Sequence, residues 1–214
     1  MKKETRNLCL DIDDLIPQIE TRDDESKTIT GYAAVYYREG KKNTEFKLWD
    51  DFVERIAPGA FDSVLKQDVR ALFNHDSNHV LGRTKGKTLR LSVDEKGLKY
   101  EIDVPDTQTG RDLLTSIKRG DVTGSSFSFM LGKNGAEIND DGKRVVRTIT
   151  KVSKLFDVGP VTFPAYEGTA AKSRDEEEAQ RELEQYRQEM ENLAAAETEK
   201  RRKQLKVAKL RLTL

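Results

Sequence analysis

Between Thr28 and Phe163 the sequence consists mainly of short alternating or apolar stretches separated by turn-forming residues. Alternation with a period of two places one face of a strand against a core. Gly-containing turns such as Lys85-Gly86-Lys87 join consecutive strands, and Asn139-Asp140-Asp141-Gly142 is predicted to close a hairpin. The segments with strand character are 28–37, 47–56, 69–73, 80–83, 88–93, 98–104, 122–131 and 144–163. The sequence therefore predicts a mainly antiparallel β fold, with a meander over 80–104.

Two short helices are predicted within this β-rich region. The first covers 60–66 and follows Pro58 and Gly59, while the second covers Thr109–Arg119 and ends at Gly120, a residue type that favours helix C-termini. The apolar positions at helical spacing are Phe61, Val64 and Leu65 in the first helix and Leu113, Leu114 and Ile117 in the second. The predicted fold class is therefore mainly β with short α-helices (α+β).

After Tyr166 the composition changes sharply to Glu, Gln, Arg, Lys and Ala, which predicts a charged helical tail. A short apolar seam in this tail consists of Leu183, Tyr186, Met190 and Leu193. A solvated helix with such a seam suits partner binding, so the tail is either a targeting or inhibitory segment or a plain solvated appendage. The predicted organisation is an N-terminal extension at 1–20, a β-rich domain at 21–171 and the tail at 172–214.

Charge and cysteine content argue against several classes of function. Lys plus Arg and Asp plus Glu each number 38, so the chain lacks the basic excess on which nucleic-acid binding depends. The single cysteine, Cys9, allows no internal disulfide, and with two histidines the chain has no Cys/His set for a structural zinc site. No stretch of about 18 apolar residues and no apolar leader is present. We expect no nucleic-acid partner, no membrane span, no metal and no cofactor.

Ser126 is the first candidate for chemistry because it lies among small residues in a predicted strand, Gly124-Ser125-Ser126-Phe127-Ser128. A serine hydroxyl becomes nucleophilic only beside a base, usually a histidine that a third group orients. His75 directly follows a buried strand and can be held rigidly, whereas His79 lies further into a polar loop. Ser125 is the main rival nucleophile. Strand alternation places Ser125 and Ser126 on opposite faces, so only one of them can face the histidine.

The sequence alone leaves other interpretations of these residues open. The segment from Gly124 resembles the G-x-S-x-G nucleophile elbow, but its fifth residue is not Gly and no helix follows, which disfavours an α/β-hydrolase. His75 and His79, with Asp76 between them, could instead bind a metal ion as in a metal-dependent hydrolase, although no third strong ligand is evident. Asp157 could orient a histidine or be an ordinary strand-end carboxylate.

Several ordered segments resemble the tailed-phage prohead protease family, which is itself similar to the herpesvirus assemblins. The resemblance covers about Thr21 to Tyr166. Its segments are Ile29–Tyr36 (ITGYAAVY), Glu54–Phe61 (ERIAPGAF), Leu72–Asp76 (LFNHD), Leu81–Thr84 (LGRT), Gly97-Leu98, Gly110–Leu113 (GRDL), Gly124–Phe129 (GSSFSF) and Val161–Tyr166 (VTFPAY).

The resemblance implies an assemblin-like antiparallel β-barrel core and the activity of a serine endopeptidase. It makes His75 the general base and Ser126 the nucleophile. The family usually carries Glu in an E-V-S run before the V-T-F-P-A-Y segment. In this sequence the corresponding residues are Asp157-Val158-Gly159, so the resemblance makes Asp157 the third catalytic residue, which orients His75.

The resemblance also implies a substrate and a place of action. The substrate would be the scaffolding protein, or the scaffolding segment of the major capsid protein, inside the assembling procapsid in the host cytoplasm. Self-cleavage and, by analogy with assemblins, a homodimer are further expectations. The alternative is a non-enzymatic capsid-assembly protein built on a protease-like domain.

Overall fold

Most strands of this protein lie within the predicted segments, but those at Glu4–Leu8, Gln18–Thr21 and Ala136–Asp140 lie outside them. The computed structural model describes residues 3–8, 16–23, 26–49, 52–140, 144–163, 180–193, 195–196 and 198–199. The strands are β1 (Glu4–Leu8), β2 (Gln18–Thr21), β3 (Lys27–Val35), β4 (Glu45–Trp49), β5 (Phe52–Ile56), β6 (Arg70–Leu72), β7 (Val80–Arg83), β8 (Leu89–Val93), β9 (Gly97–Asp103), β10 (Gly124–Leu131), β11 (Ala136–Asp140), β12 (Val145–Ile149) and β13 (Val152–Val161). The prediction of a mainly β protein is confirmed.

The described strands form three open sheets, so the predicted closed barrel is wrong. Their orders are β1-β10-β13-β6-β7, β11-β12-β5-β4 and β2-β3-β9-β8. Most neighbouring strands are antiparallel, but β5 pairs with β12 and β6 with β13 in parallel. The predicted meander over 80–104 is also only partly right, because β7 pairs with β6 while β8 and β9 belong to a different sheet. Local alternation indicates which residues form strands but not which strands pair or whether a sheet closes.

The first predicted helix is wrong and the second is confirmed. Residues 58–66 form successive turns, with hydrogen bonds three residues apart such as Val64 N to Phe61 O at 3.0 Å. A run this short does not repay the cost of helix nucleation. The helix α1 covers Gln108–Arg119, its N-cap Thr107 accepts a hydrogen bond from Gly110 N, and Gly120 ends it in the left-handed conformation.

The core lies where the turns at 58–66 and α1 pack with the buried faces of β3, β9, β10 and β13. Its aromatic centre is a run of close contacts from Phe61 to Phe127 and on to Phe129, with ring centroids 5.5 and 4.9 Å apart. Phe127 and Phe129, which both belong to β10, are fully buried. β10 is therefore fixed on one face by the core, which leaves its other face for polar residues.

β1 is held in place by a buried cluster of four charged residues, which we call the β1 charge cluster: Glu4, Arg6, Glu54 and Arg147. Arg6 donates to Glu54 through Nε at 2.5 Å and Nη2 at 3.0 Å, and Arg147 also donates to Glu54. Glu4 accepts from Arg6 at 2.7 Å and from Arg147 at 3.2 Å. Burial alone would raise the pKa of Glu54, but the charges and hydrogen bonds of the two guanidinium groups hold it at about 2.

Glu54→Gln is expected to destabilise the protein by about 3–5 kcal/mol at neutral pH, because it leaves the two buried guanidinium groups with a single carboxylate. Glu54 has a depressed pKa in the folded state, so its stabilising contribution is present above the unfolded value near 4.5 and is lost as the pH falls through about 2. Denaturant unfolding at pH 7 and at pH 3 measures this effect, and the difference between wild type and variant should shrink at the lower pH. Glu101→Gln, at a surface ion pair, serves as the control and should change stability by no more than ~1 kcal/mol.

The chain divides into two compact units, Met1–Ala170 and Ala171–Leu214. Residues 180–193 of the second unit are helical, and most of the rest of the predicted tail lies outside the described residues, as does part of the predicted hairpin turn at 139–142. The division at 1–20, 21–171 and 172–214 stays a prediction. None of the helices within the described residues has the length and apolar character needed to cross a membrane.

Candidate active site

The two faces of β10 separate the rival serines. Ser125 lies on the core face, where its Oγ is 2.8 Å from the hydroxyl of Tyr100. Ser126 and Ser128 lie on the opposite face, and both contact His75. The prediction that only one of Ser125 and Ser126 can face the histidine is confirmed, and it is Ser126.

His75 is presented by a tight loop at the end of β6. Asn74 and His75 both have positive φ angles, 54° and 58°, which is uncommon for residues other than glycine and concentrates at functional sites. Asn74 ties this loop to the end of β13, because its N–H donates to Pro160 O at 3.1 Å and its Oδ1 accepts from Thr162 N at 2.8 Å. The loop therefore holds the imidazole in a fixed position relative to β13.

Three side chains from three strands or strand ends meet in one line of contacts. The Nε2 atom of His75 is 2.5 Å from Ser126 Oγ, and its Nδ1 atom contacts Asp157 Oδ1. An ionised carboxylate can only accept, so Nδ1 carries the proton and donates to Asp157. Nε2 is then the unprotonated ring nitrogen beside Ser126 Oγ, whose own proton is donated to the carbonyl oxygen of Arg6 in this arrangement. Ser128 Oγ lies 3.1 Å from Nδ1 on the same side. The structure thus brings together the three residues that the sequence analysis selected.

Asp157 lies in β13, opposite Ser128 of β10, and its side chain is almost completely buried. Burial would raise the pKa of this carboxyl group, but the hydrogen bond and charge of His75, together with Lys3 at 3.3 Å, keep it below the usual value. The group is therefore ionised at neutral pH. The side chain of Asp157 is one carbon shorter than the glutamate usual in the family that the sequence resembles. Because of the position of β13, the Asp157 carboxylate nevertheless reaches the imidazole of His75.

His79 makes different contacts from His75. Its Nδ1 atom is 3.2 Å from Thr109 Oγ1 and its Nε2 atom is 3.7 Å from Asp76 Oδ2, at a half-exposed position. Both ring nitrogens of His75 face Asp157 and Ser126 instead. Among the described residues, no three His, Cys, Asp or Glu side chains are grouped so as to hold a metal ion.

The N-terminal strand β1 covers this site, which the sequence analysis missed. Thr5 Oγ1 lies 3.1 Å from Ser128 Oγ, and Lys3 pairs with Asp157. Ser126 has no exposed surface in this arrangement, and Asp157 is 2% exposed. The segment Glu4–Leu8 is charged and lacks apolar alternation, so no sequence signal indicated a buried strand there.

Comparison with known proteins places the chain in a family. The family model described as caudovirus prohead serine protease matches residues 16–189. This chain belongs to that family. Among solved structures, the bacteriophage T4 capsid assembly protease gp21 matches with 13% sequence identity and a TM-score of 0.39, over 75% of this chain and 96% of that chain. No curated protein matches the sequence.

The range matched by the prohead serine protease family contains all three residues of the contact line but not β1. His75, Ser126 and Asp157 lie between residues 16 and 189, while β1 ends at Leu8. The strand that covers the site therefore lies outside the part of the chain that the family model describes.

Gly159 sets the spacing between β13 and the His75 loop of this prohead protease family member. A Cβ atom at this position would lie 2.1 Å from the carbonyl oxygen of Leu72, at the end of β6. Gly159→Ala should push the two strands apart and lower cleavage activity about 100-fold, because displacements near 1 Å have such effects on catalytic geometry. Initial rates of substrate cleavage measure it. Gly86→Ala, where the nearest atom is 3.5 Å away, is the control and should retain wild-type activity.

Proposed function

We propose that this chain is the serine endopeptidase that matures a tailed-phage procapsid. Its substrate is the scaffolding protein or the scaffolding segment of the major capsid protein, cut inside the assembled shell in the host cytoplasm. The observation that carries the proposal is the contact line from Ser126 through His75 to Asp157 in a member of the prohead serine protease family.

In the proposed mechanism, Ser126 Oγ attacks the carbonyl carbon of the bond to be cut while His75 Nε2 takes the hydroxyl proton. The imidazolium then gives this proton to the leaving amine nitrogen as the peptide C–N bond breaks, leaving an acyl group on Ser126. Water attacks the acyl carbon with His75 again acting as base, which releases the new carboxylate. Asp157, ionised and buried, orients the imidazole and stabilises its charged form.

Three further expectations belong to this proposal. The enzyme also cleaves itself, it acts as a homodimer, and its tail at 172–214 targets it to the assembling shell or restrains it before assembly. A deletion of the tail that leaves incorporation into procapsids and the timing of cleavage unchanged would remove the last of these roles.

The test is co-expression of the full chain with the major capsid and scaffolding proteins of its phage, with cleavage read by intact mass. We expect defined shorter products that still form in the presence of a metal chelator. Procapsids that assemble with the chain but contain only full-length proteins would instead support the alternative, a non-enzymatic assembly protein. Cleavage that stops with the chelator would support a metal-dependent hydrolase.

A further inference from the structure

The His75 loop, residues 73–79, is held together by its own hydrogen bonds. Phe73 N donates to His79 O at 3.1 Å and so joins the two ends of the loop, and His79 N donates to Asp76 O at 2.9 Å. Asp76 N donates to Phe73 O at 3.1 Å. The loop is therefore braced as one piece, and the position of the imidazole depends on how this piece is attached to the sheet.

The strand pairing beside this loop is too short to fix the loop. β6 pairs in parallel with β13 through two residue pairs, Arg70 with Asp157 and Ala71 with Val158. His75 lies beyond the end of this ladder, yet the carboxylate that it contacts belongs to β13. A loop that extends past a ladder moves unless other contacts hold it. The alignment of the imidazole with Asp157 therefore depends on contacts that the loop itself makes with β13.

Asn74 makes such contacts with both its main chain and its side chain. Its N–H donates to Pro160 O at 3.1 Å. Its Oδ1 accepts from Thr162 N at 2.8 Å, and its Nδ2 donates to Thr162 Oγ1 at 3.1 Å. A main-chain N–H can only donate, which fixes the orientation of the Asn74 amide. Because the amide accepts from and donates to the same residue, it sets both the distance and the rotation of the loop relative to the end of β13.

Asn74 also suits the backbone conformation that presents His75. Asn74 and His75 are the two central residues of a turn that is closed by the hydrogen bond from Asp76 N to Phe73 O, and both have positive φ. These are the features of a type I′ turn, which favours asparagine at its first central position and usually has glycine at its second. A histidine at the second position is unusual, so the turn needs further support from Asn74.

We propose that Asn74 is the positioning residue of the Ser126–His75–Asp157 line, and that its amide, bound to Thr162, clamps the His75 turn to β13. Asn74 is exposed, so its side-chain hydrogen bonds contribute little to the stability of the fold. A loop displaced by about 1 Å would nevertheless lose the alignment that proton transfer needs. The expected effect on cleavage rests on the proposed function, whereas the expected effect on the imidazole rests on the geometry alone.

The first test is steady-state kinetics of the full chain on its capsid or scaffolding substrate. Asn74→Gly keeps the positive φ without strain and removes both side-chain hydrogen bonds. We expect kcat to fall about 100-fold and KM to change by no more than about 2-fold. The Tm should fall by about 5 °C or less, because the lost bonds are exposed. A wild-type kcat in a folded Asn74→Gly variant would overturn the inference.

Two further variants separate the clamp from a general effect on the loop. Asn74→Asp keeps an oxygen for Thr162 N and offers its second oxygen to the Thr162 hydroxyl, which can donate as well as accept. Its kcat should therefore stay within about 5-fold of wild type. Asn78→Ala is the matched control, because Asn78 Nδ2 donates at 2.9 Å to Asp76 within the same loop, and it should keep the wild-type kcat. Equal losses of kcat in the glycine and aspartate variants of Asn74 would contradict the clamp.

The second test asks whether Asn74 acts through Thr162. Thr162→Val removes the hydroxyl that accepts from Asn74 Nδ2 and keeps the main-chain N–H. Alone, it should lower kcat about 5-fold. Combined with Asn74→Gly, it should cause no further loss, because two changes that remove the same contact are not additive. Losses that multiply in the double variant would show that the two residues act independently and would overturn the inference.

Proton NMR of the full chain examines the imidazole without any substrate. The proton between His75 Nδ1 and Asp157 lies in a charge-assisted hydrogen bond and should give a low-field signal that is absent from His75→Ala. We expect this signal to be kept in Asn74→Asp and Asn78→Ala, and to move upfield or broaden in Asn74→Gly. An unchanged signal in Asn74→Gly would contradict the positioning role.

These measurements distinguish a failure of this inference from a failure of the proposed function. Cleavage that is lost in Ser126→Ala but proceeds at the wild-type rate in Asn74→Gly would leave the proposed function standing and overturn the positioning role. A wild-type chain that cleaves nothing, but whose low-field signal changes in Asn74→Gly and not in Asn78→Ala, would overturn the proposed function and support the role of Asn74 in holding His75.

Discussion

Replacement of Ser126 by alanine is expected to abolish cleavage of the capsid or scaffolding protein, with a rate loss of about 10⁴-fold or more. The reason is that the Ser126 hydroxyl lies beside His75 Nε2, whereas the hydroxyl of Ser128 lies beside Nδ1. Co-expression followed by intact-mass measurement over time gives the rate. Because the variant removes a single buried oxygen, its fold should be kept, and a thermal melt checks this.

Ser125→Ala and Ser128→Ala are the matched controls for this experiment. Ser125 faces Tyr100 in the core, so its loss leaves the tyrosine hydroxyl without this partner and costs stability, about 1–3 kcal/mol, while cleavage continues. Ser128 contacts the Nδ1 side of the imidazole and not its Nε2 side, so cleavage should be reduced but not lost. Loss with Ser125→Ala alone would move the nucleophile by one residue. Cleavage in all three variants would favour the non-enzymatic assembly protein.

Replacement of Asp157 by asparagine is expected to lower kcat by about 10⁴-fold and to change KM little. The asparagine amide can donate a hydrogen bond to Nδ1 of His75, and the imidazole then carries its proton on Nε2. A protonated Nε2 can no longer accept the proton of Ser126. Steady-state kinetics with a purified substrate or peptide measure the two constants separately. An unchanged kcat would show that Asp157 is an ordinary buried carboxylate that happens to contact the histidine.

The controls for Asp157 separate charge from shape. Asp157→Glu keeps the charge and restores the residue type usual in the resembling family, so it should retain far more activity than the asparagine variant. Asp76→Asn removes an exposed carboxylate beside His79 and should leave kcat unchanged. The folded-state pKa of Asp157 is depressed, so its contribution to stability holds above the unfolded value and is lost only in acid. Activity and stability should therefore be compared at neutral pH, where this carboxylate is ionised.

The strands and the candidate site could be predicted from the sequence because their signals are local. Alternating residues located most strands, and Gly120 marked the end of α1. The resemblance to the prohead protease family, carried by the order of its short motifs, indicated Ser126, His75 and Asp157, and strand alternation already separated Ser125 from Ser126. None of these inferences needs knowledge of which strands are neighbours.

What could not be predicted depends on contacts between distant parts of the chain. The parallel pair of β5 with β12 and that of β6 with β13 join segments far apart in sequence, so the open sheets were not foreseen. β1 was missed because its buried residues are charged. Glu4 and Arg6 can be buried only beside Glu54 and Arg147, which belong to other strands. A pattern of apolar residues cannot reveal a strand that is buried through ion pairs.

The most direct test of the central claim is chemical labelling of the nucleophile. Protein recovered from co-expression, in a preparation that cleaves its substrate, is treated with a fluorophosphonate, digested and mapped by mass spectrometry. The account predicts one adduct, on Ser126, that is absent from the Ser126→Ala and His75→Ala variants. An adduct on Ser125 or on another residue, or no adduct at Ser126 in an active preparation, would contradict it.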